Sequence, residues 1–179
     1  GGYDGTPANF VADGGKSAQQ GFATSEPYFY ENVLTDWGKP VAYQTIHDAG
    51  WTSYAQTLAA KPETIVSAAD CLKLLVPIIQ QAQVDYVADP STTNALILDL
   101  VAQYNNGWMY DAGQADAAVA LALENGLIAN SPDGTLGSFD SQRMDEFLAL
   151  AIPIFEGLGE KLKPGLTSAD LATNQFIDP

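Results

Sequence analysis

Apolar positions recur at helical spacing over much of the chain's second half. Between Ser67 and Ala88, Leu72, Leu75, Ile79 and Tyr86 fall along one side of a helix. The quartet Ser67-Ala-Ala-Asp70 reads as a capping box that opens this helix, and Pro77 inside it predicts a kink. Asp89 as N-cap and Pro90 in the first turn predict a second helix through Tyr104. A third spans about 113–125 and is stopped by Gly126, and a fourth starts near Ser141 and fades after Phe155, around Pro153. Thr167-Ser-Ala-Asp170 caps a short last helix. Near the beginning, Thr6 and Pro7 predict a short helix that Gly14-Gly15 breaks.

Residues 20–60 have a different rhythm. Strands are predicted over 20–26, ended by Pro27, over 41–46, and over 54–59. The fold class this implies is α/β. A doubly wound sheet alternates strand and helix throughout, whereas here the strands gather at one end and the helices at the other. The shortage of strands predicts an upstream segment of the same protein that completes the sheet.

Composition narrows the function. The chain has 179 residues, 46% of them apolar, which is the balance of a globular domain with a core. No apolar run reaches the length of a transmembrane helix. Seven basic residues against twenty-two acidic ones give a net charge of −15, a surface that repels nucleic acid. The single cysteine, Cys71, cannot form an internal disulfide and is expected to pack as a small buried hydrophobe.

Three rival chemistries fail on spacing. Gly14-Gly-Lys-Ser17 resembles the end of a phosphate-binding loop, but Phe10 stands where the first glycine belongs. His47-Asp48 are consecutive, and on a strand their side chains would face opposite ways. His47 is also the only histidine, which rules out a multi-histidine metal site. Asp133–Asp140 lacks the closing carboxylate of a calcium loop, since Met144 occupies its twelfth position. A surface turn before a helix is expected there. Asn105-Asn-Gly107 supplies a left-handed turn, after which Trp108 and Tyr110 pack on a helix or line a pocket. No cofactor is implied.

The densest aromatic set is Tyr28, Phe29, Tyr30, Tyr43, Trp51 and Tyr54, interleaved with Thr24, Ser25, Glu26, His47 and Asp48. Aromatic walls with a few polar groups suit a planar small molecule, and open sheets bind ligands at strand ends. The expected ligand-binding residues are therefore Thr24, Ser25, Glu26, Tyr28, His47, Asp48 and Trp51.

Gly21-Phe-Ala-Thr-Ser-Glu-Pro-Tyr28, Val41–Trp51, Leu75–Tyr86, Tyr104-Asn-Asn-Gly-Trp108 and Thr173–Asp178 together resemble the solute-binding proteins of ABC importers. The branch is the one that includes nitrate-, sulfonate-, taurine- and thiamine-precursor-binding proteins. The resemblance implies a two-lobed periplasmic-binding-protein-like fold, with residues 1–50 a second-lobe segment with hinge strands. Residues 51–179 would be the mostly helical C-terminal part of the first lobe. It further implies capture of a small organic solute between lobes, outside the cytoplasm, and delivery to the membrane subunits of an importer. A pyrimidine-precursor synthase of the same fold and a ligand-sensing domain are the alternatives. The synthase would need a cysteine-rich motif and a lysine–histidine pair, and this chain has one cysteine and one histidine.

Overall fold

A computed structural model describes residues 6–178. Among them the elements are helical: α1 (Ala8–Ala12), α2 (Glu26–Tyr28) running into a π-helical turn (Phe29–Val33), α3 (Pro62–Ser67), α4 (Ala69–Ala88) and α5 (Ser91–Tyr104). α6 (Ala112–Glu124), α7 (Ser141–Gly157) and α8 (Ser168–Leu171) follow. The only β pairing among the described residues is one antiparallel bridge, Asn130 to Leu136. The expected α/β, two-lobed periplasmic-binding-protein-like architecture is thereby corrected, and with it the hinge strands and the strand-shortage argument for an upstream segment.

The three expected strands give way to turns and irregular backbone. Extended segments need a facing strand to pair their backbone groups. Over 20–26 the chain turns instead: the Ser25 and Glu26 amides donate to the Phe22 carbonyl, at 2.9 and 3.1 Å. The Glu26 carboxylate then accepts from the Phe22 amide at 2.6 Å, and Pro27 starts a helix rather than ending a strand. Residues 41–45 are irregular and lead into a turn at 46–50. Over 54–59 Gln56 takes a left-handed φ of 56°, which interrupts an extended run. Just before it the Thr52 and Ser53 carbonyls are taken by Arg143, whose Nε donates to Thr52 at 3.1 Å and Nη2 to Ser53 at 3.3 Å.

The predicted helices are present with shifted ends. Lys61-Pro62-Glu63 starts α3 early, with proline at the first position and an acid in the first turn. Ser67 therefore closes α3 instead of capping α4. Asp89 accepts from the Ser91 amide at 3.1 Å, so α5 begins one residue later than expected. Asn105 takes the left-handed conformation that ends it, at φ 40°. The box at Thr167 and Asp170 forms as read.

The chain divides into two compact units built from interleaved segments: residues up to Gln44 with Asp89–Ile128, and Thr45–Ala88 with residues from Ala129 onward. In the first unit α5 packs on α6, whose Ala115 and Ala122, two turns apart, are buried. An aromatic cluster gathers Phe10 on Tyr30 (5.1 Å between centroids), Phe10 on Trp37 (4.9 Å) and Phe29 on Tyr30 (6.2 Å). Gly15, at φ 75°, lies under the Trp37 ring, where a Cβ would meet the ring edge at 2.5 Å.

The second unit is centred on α7, whose Met144, Leu148 and Ala151 are buried at i, i+4, i+7 spacing. α8 packs against α7, and α3 against α4. The loop before α7 is anchored by Gln80, whose Nε2 donates to the Leu136 carbonyl at 2.8 Å and whose Oε1 accepts from the Asp178 amide at 2.9 Å. α4 buries no residue: Leu74 is 71% exposed and Ile78 64%, and Leu75 and Ile79, expected in the core, are exposed too. Cys71 is likewise exposed on α4, not the buried hydrophobe expected.

Candidate functional site

The residues singled out by sequence fall into the two units. Ser25, at the N-cap of α2, accepts a hydrogen bond from Gln114 Nε2 at 3.0 Å. Tyr28 rests its ring end on Gly113, so closely that a Cβ there would meet Cζ at 2.9 Å. Both contacts fix the 25–28 segment to the first turn of α6, whose N-cap Asp111 accepts from the Gln114 amide at 2.7 Å. Thr24 is half-buried beside them, and Glu26 is turned back onto the Phe22 amide. Gln114 is 2% exposed, and its Oε1 has no partner among the described residues.

His47 and Asp48 are exposed on the turn that follows Thr45. Thr45 Oγ1 accepts from the Asp48 amide at 3.0 Å, and no hydrogen bond joins the two side chains. Trp51 belongs to the same unit and packs edge-on against Phe147 of α7, 4.9 Å between centroids. The aromatic set read as one group is thus divided: Phe29 and Tyr30 belong to a core cluster, Tyr43 is exposed, and Trp51 and Tyr54 lie in the second unit. Trp108 and Tyr110 stack on one another at 5.1 Å and 23°, with Trp108 57% exposed.

Phe147, the ring on which Trp51 packs, lines a cavity of about 280 Å³ in the second unit. Its rings are Tyr54, Phe139 and Phe147, and Ile65, Met144 and Leu171 add aliphatic surface. Ser53, Thr57 and Thr173 contribute hydroxyls, and no charged residue lines it. Tyr54 is held from three sides. Its hydroxyl accepts from the Asp140 amide at 2.9 Å, its ring meets Phe139 edge-on at 5.2 Å, and the Arg143 guanidinium lies 4.0 Å from its centroid. Asp140 caps α7, accepting from the Gln142 and Arg143 amides at 2.8 and 3.2 Å. Asn174 and Phe139 exchange two hydrogen bonds, of 2.8 and 2.9 Å, which steady the Phe139 ring.

Phe139, Phe147 and Arg143 were missed in the sequence. Arg143 is the only arginine of the chain and stands three residues after a capping aspartate, and that is the signal it offered. The two aromatics carried none, because each reads as an ordinary core position before or within a helix.

The rejected motifs have structural uses of their own. Asp13 accepts from the Gly15 and Lys16 amides at 3.0 and 3.1 Å, so the amides a phosphate would need are engaged. A hydrogen bond from the Ser17 side chain, with these two, holds the Asp13 carboxyl below its ordinary value. Asp133 accepts from the Thr135 amide at 2.9 Å and from the Ser138 hydroxyl at 2.9 and 3.0 Å, the Thr135 contact doing most to hold its carboxyl low. Among the described residues no three of His, Cys, Asp and Glu gather as a metal-binding group.

A carboxyl with a depressed folded pKa adds stability above its unfolded value and loses it as pH falls through the folded one. Below about pH 4 the 131–138 loop is therefore expected to loosen. Exchange of the Thr135 amide, corrected for its intrinsic rate, should accelerate there and should already be fast at neutral pH in Asp133→Ala. Equal protection at all pH values in both proteins would contradict this.

No family model matches the chain, and no curated protein or solved structure matches it. No helix among the described residues is long and apolar enough to cross a membrane.

Proposed function

We propose that the chain binds a small, uncharged, ring-containing organic solute in the cavity beside α7. The observation that carries this reading is the lining: three aromatic rings and three serine or threonine residues, with no charged side chain, in a chain of twenty-two acids. Rings supply stacking area at low entropic cost, and hydroxyls orient a heterocycle's polar edge. The volume is at the small end of ligand sites and suits a single substituted ring. Trp51 backs the Phe147 wall, which gives one of the expected ligand residues a supporting role in place of direct stacking.

The role proposed for this binding is capture of the solute outside the cytoplasm for an ABC importer. It is supported by the sequence segments that resemble solute-binding proteins. Binding, not turnover, is the activity proposed.

Calorimetric titration with an aminopyrimidine and with an alkyl sulfonate tests the cavity. The neutral ring is expected to bind and the sulfonate not to. Thr57→Trp fills the cavity and is expected to weaken aminopyrimidine binding at least about tenfold, with the melting temperature preserved. Equal affinity in the filled variant, or a preference for the sulfonate, would overturn the assignment.

A further inference from the structure

Gln114 presents a problem that packing alone does not solve. Its amide is buried at 2% exposure, with Nε2 on the Ser25 hydroxyl and Oε1 without a partner among the described residues. Turning the amide over only exchanges which end is unpaired. A buried polar end without a partner is costly, and an apolar side chain of similar length would avoid that cost. Residues kept against stability tend to be functional.

The surroundings say what would relieve it. Ser25 and the ring end of Tyr28 meet the same first turn of α6, and two carboxylates, Asp111 and Glu26, belong to these two segments. The amides of that turn are partly spent on Asp111, which removes the usual attraction of a helix start for anions. We infer that Gln114 Oε1, on the α6 turn that Ser25 and Tyr28 also meet, is a subsite for an N–H donor carried by a small neutral or cationic organic molecule. This site lies in the first unit and does not depend on the cavity beside α7.

Benzamidine, benzamide and benzoate share one shape and differ in donors and charge. In protein labelled with nitrogen-15, benzamidine and benzamide are expected to shift the Gln114 side-chain amide signals, while benzoate leaves them in place. Gln114→Met is expected to melt at the same or a higher temperature than the parent and to bind benzamide at least about tenfold more weakly. A lower melting temperature with unchanged benzamide affinity would assign Gln114 to packing and overturn the inference. So would equal binding of benzoate, or a crystal structure at saturating benzamide with only a water on Oε1. Thr57→Trp separates the two sites: the Gln114 shifts persist in it if the subsite is real. If Thr57→Trp abolishes them, benzamide sits in the cavity, and this inference falls while the cavity reading stands.

Discussion

Arg143→Ala is expected to lower stability by about 2–3 kcal/mol, because one side chain makes two charge-assisted hydrogen bonds and a ring contact. For a chain of this size that corresponds to a melting temperature lower by roughly 5–10 °C. The reason lies in what the residues 52–54 lack. Having no strand partner, they depend on the guanidinium to occupy the Thr52 and Ser53 carbonyls. Without it those carbonyls must find water, and Ser53 and Tyr54 lose the hold that makes them a wall of the cavity. Arg143→Lys keeps the charge but cannot span two carbonyls while staying over the Tyr54 ring, so it should recover less than half of the loss. A thermal melt of the alanine variant within about 1 °C of the parent would remove Arg143 from this role.

Gly113→Ala is expected to act with opposite signs in two backgrounds. On its own, alanine favours the helix over glycine by about 1 kcal/mol, and Gly113 has an ordinary helical φ that alanine adopts without strain. In the parent, however, the new Cβ would collide with the Tyr28 hydroxyl and lie 2.9 Å from its Cζ. The ring has to leave, at a cost of about 1–3 kcal/mol typical of overpacking. The substitution should therefore destabilise the parent and stabilise Tyr28→Ala. Denaturant unfolding of the four proteins of this cycle measures the reversal, and additive effects would show that Tyr28 does not rest on α6.

These two residues also show where the sequence was readable. α5, α6, α7 and α8 were legible because their punctuation is local: Asp89, Asn105, Gly126 and the Thr167–Asp170 box each act within a few residues. The strands were misread because a β-like stretch becomes a strand only beside another one. Over 54–59 the run is interrupted by Gln56 at φ 56°, and the Thr52 and Ser53 carbonyls just before it are taken by an arginine ninety residues away, which no local pattern reveals. The capping box at Ser67 was outcompeted by Pro62, whose earlier helix start absorbed the serine. Of the expected site residues, Ser25 and Tyr28 meet a common helix turn and Trp51 supports the cavity wall. His47 and Asp48 serve a turn, because Thr45 and Gly50 bend the backbone there before a strand could form. Gln114 was not readable at all, since its significance is an unpaired atom and not a residue type.

The interleaving of the two units has a consequence for how the molecule can be taken apart. Each is made of two stretches separated by the other's sequence, so the chain passes between them three times. A single cut between residues 88 and 89 yields two pieces, each holding half of both units. The α6 turn and the 25–28 segment that meets it would then be on different fragments, as would α7 and Tyr54. Dissection into autonomous domains by trimming either end is closed to this topology, and only a rearranged order of segments would isolate one unit. Forming either unit must also close the long loop that the other's intervening segment makes, an entropic cost that grows only slowly with the loop's length.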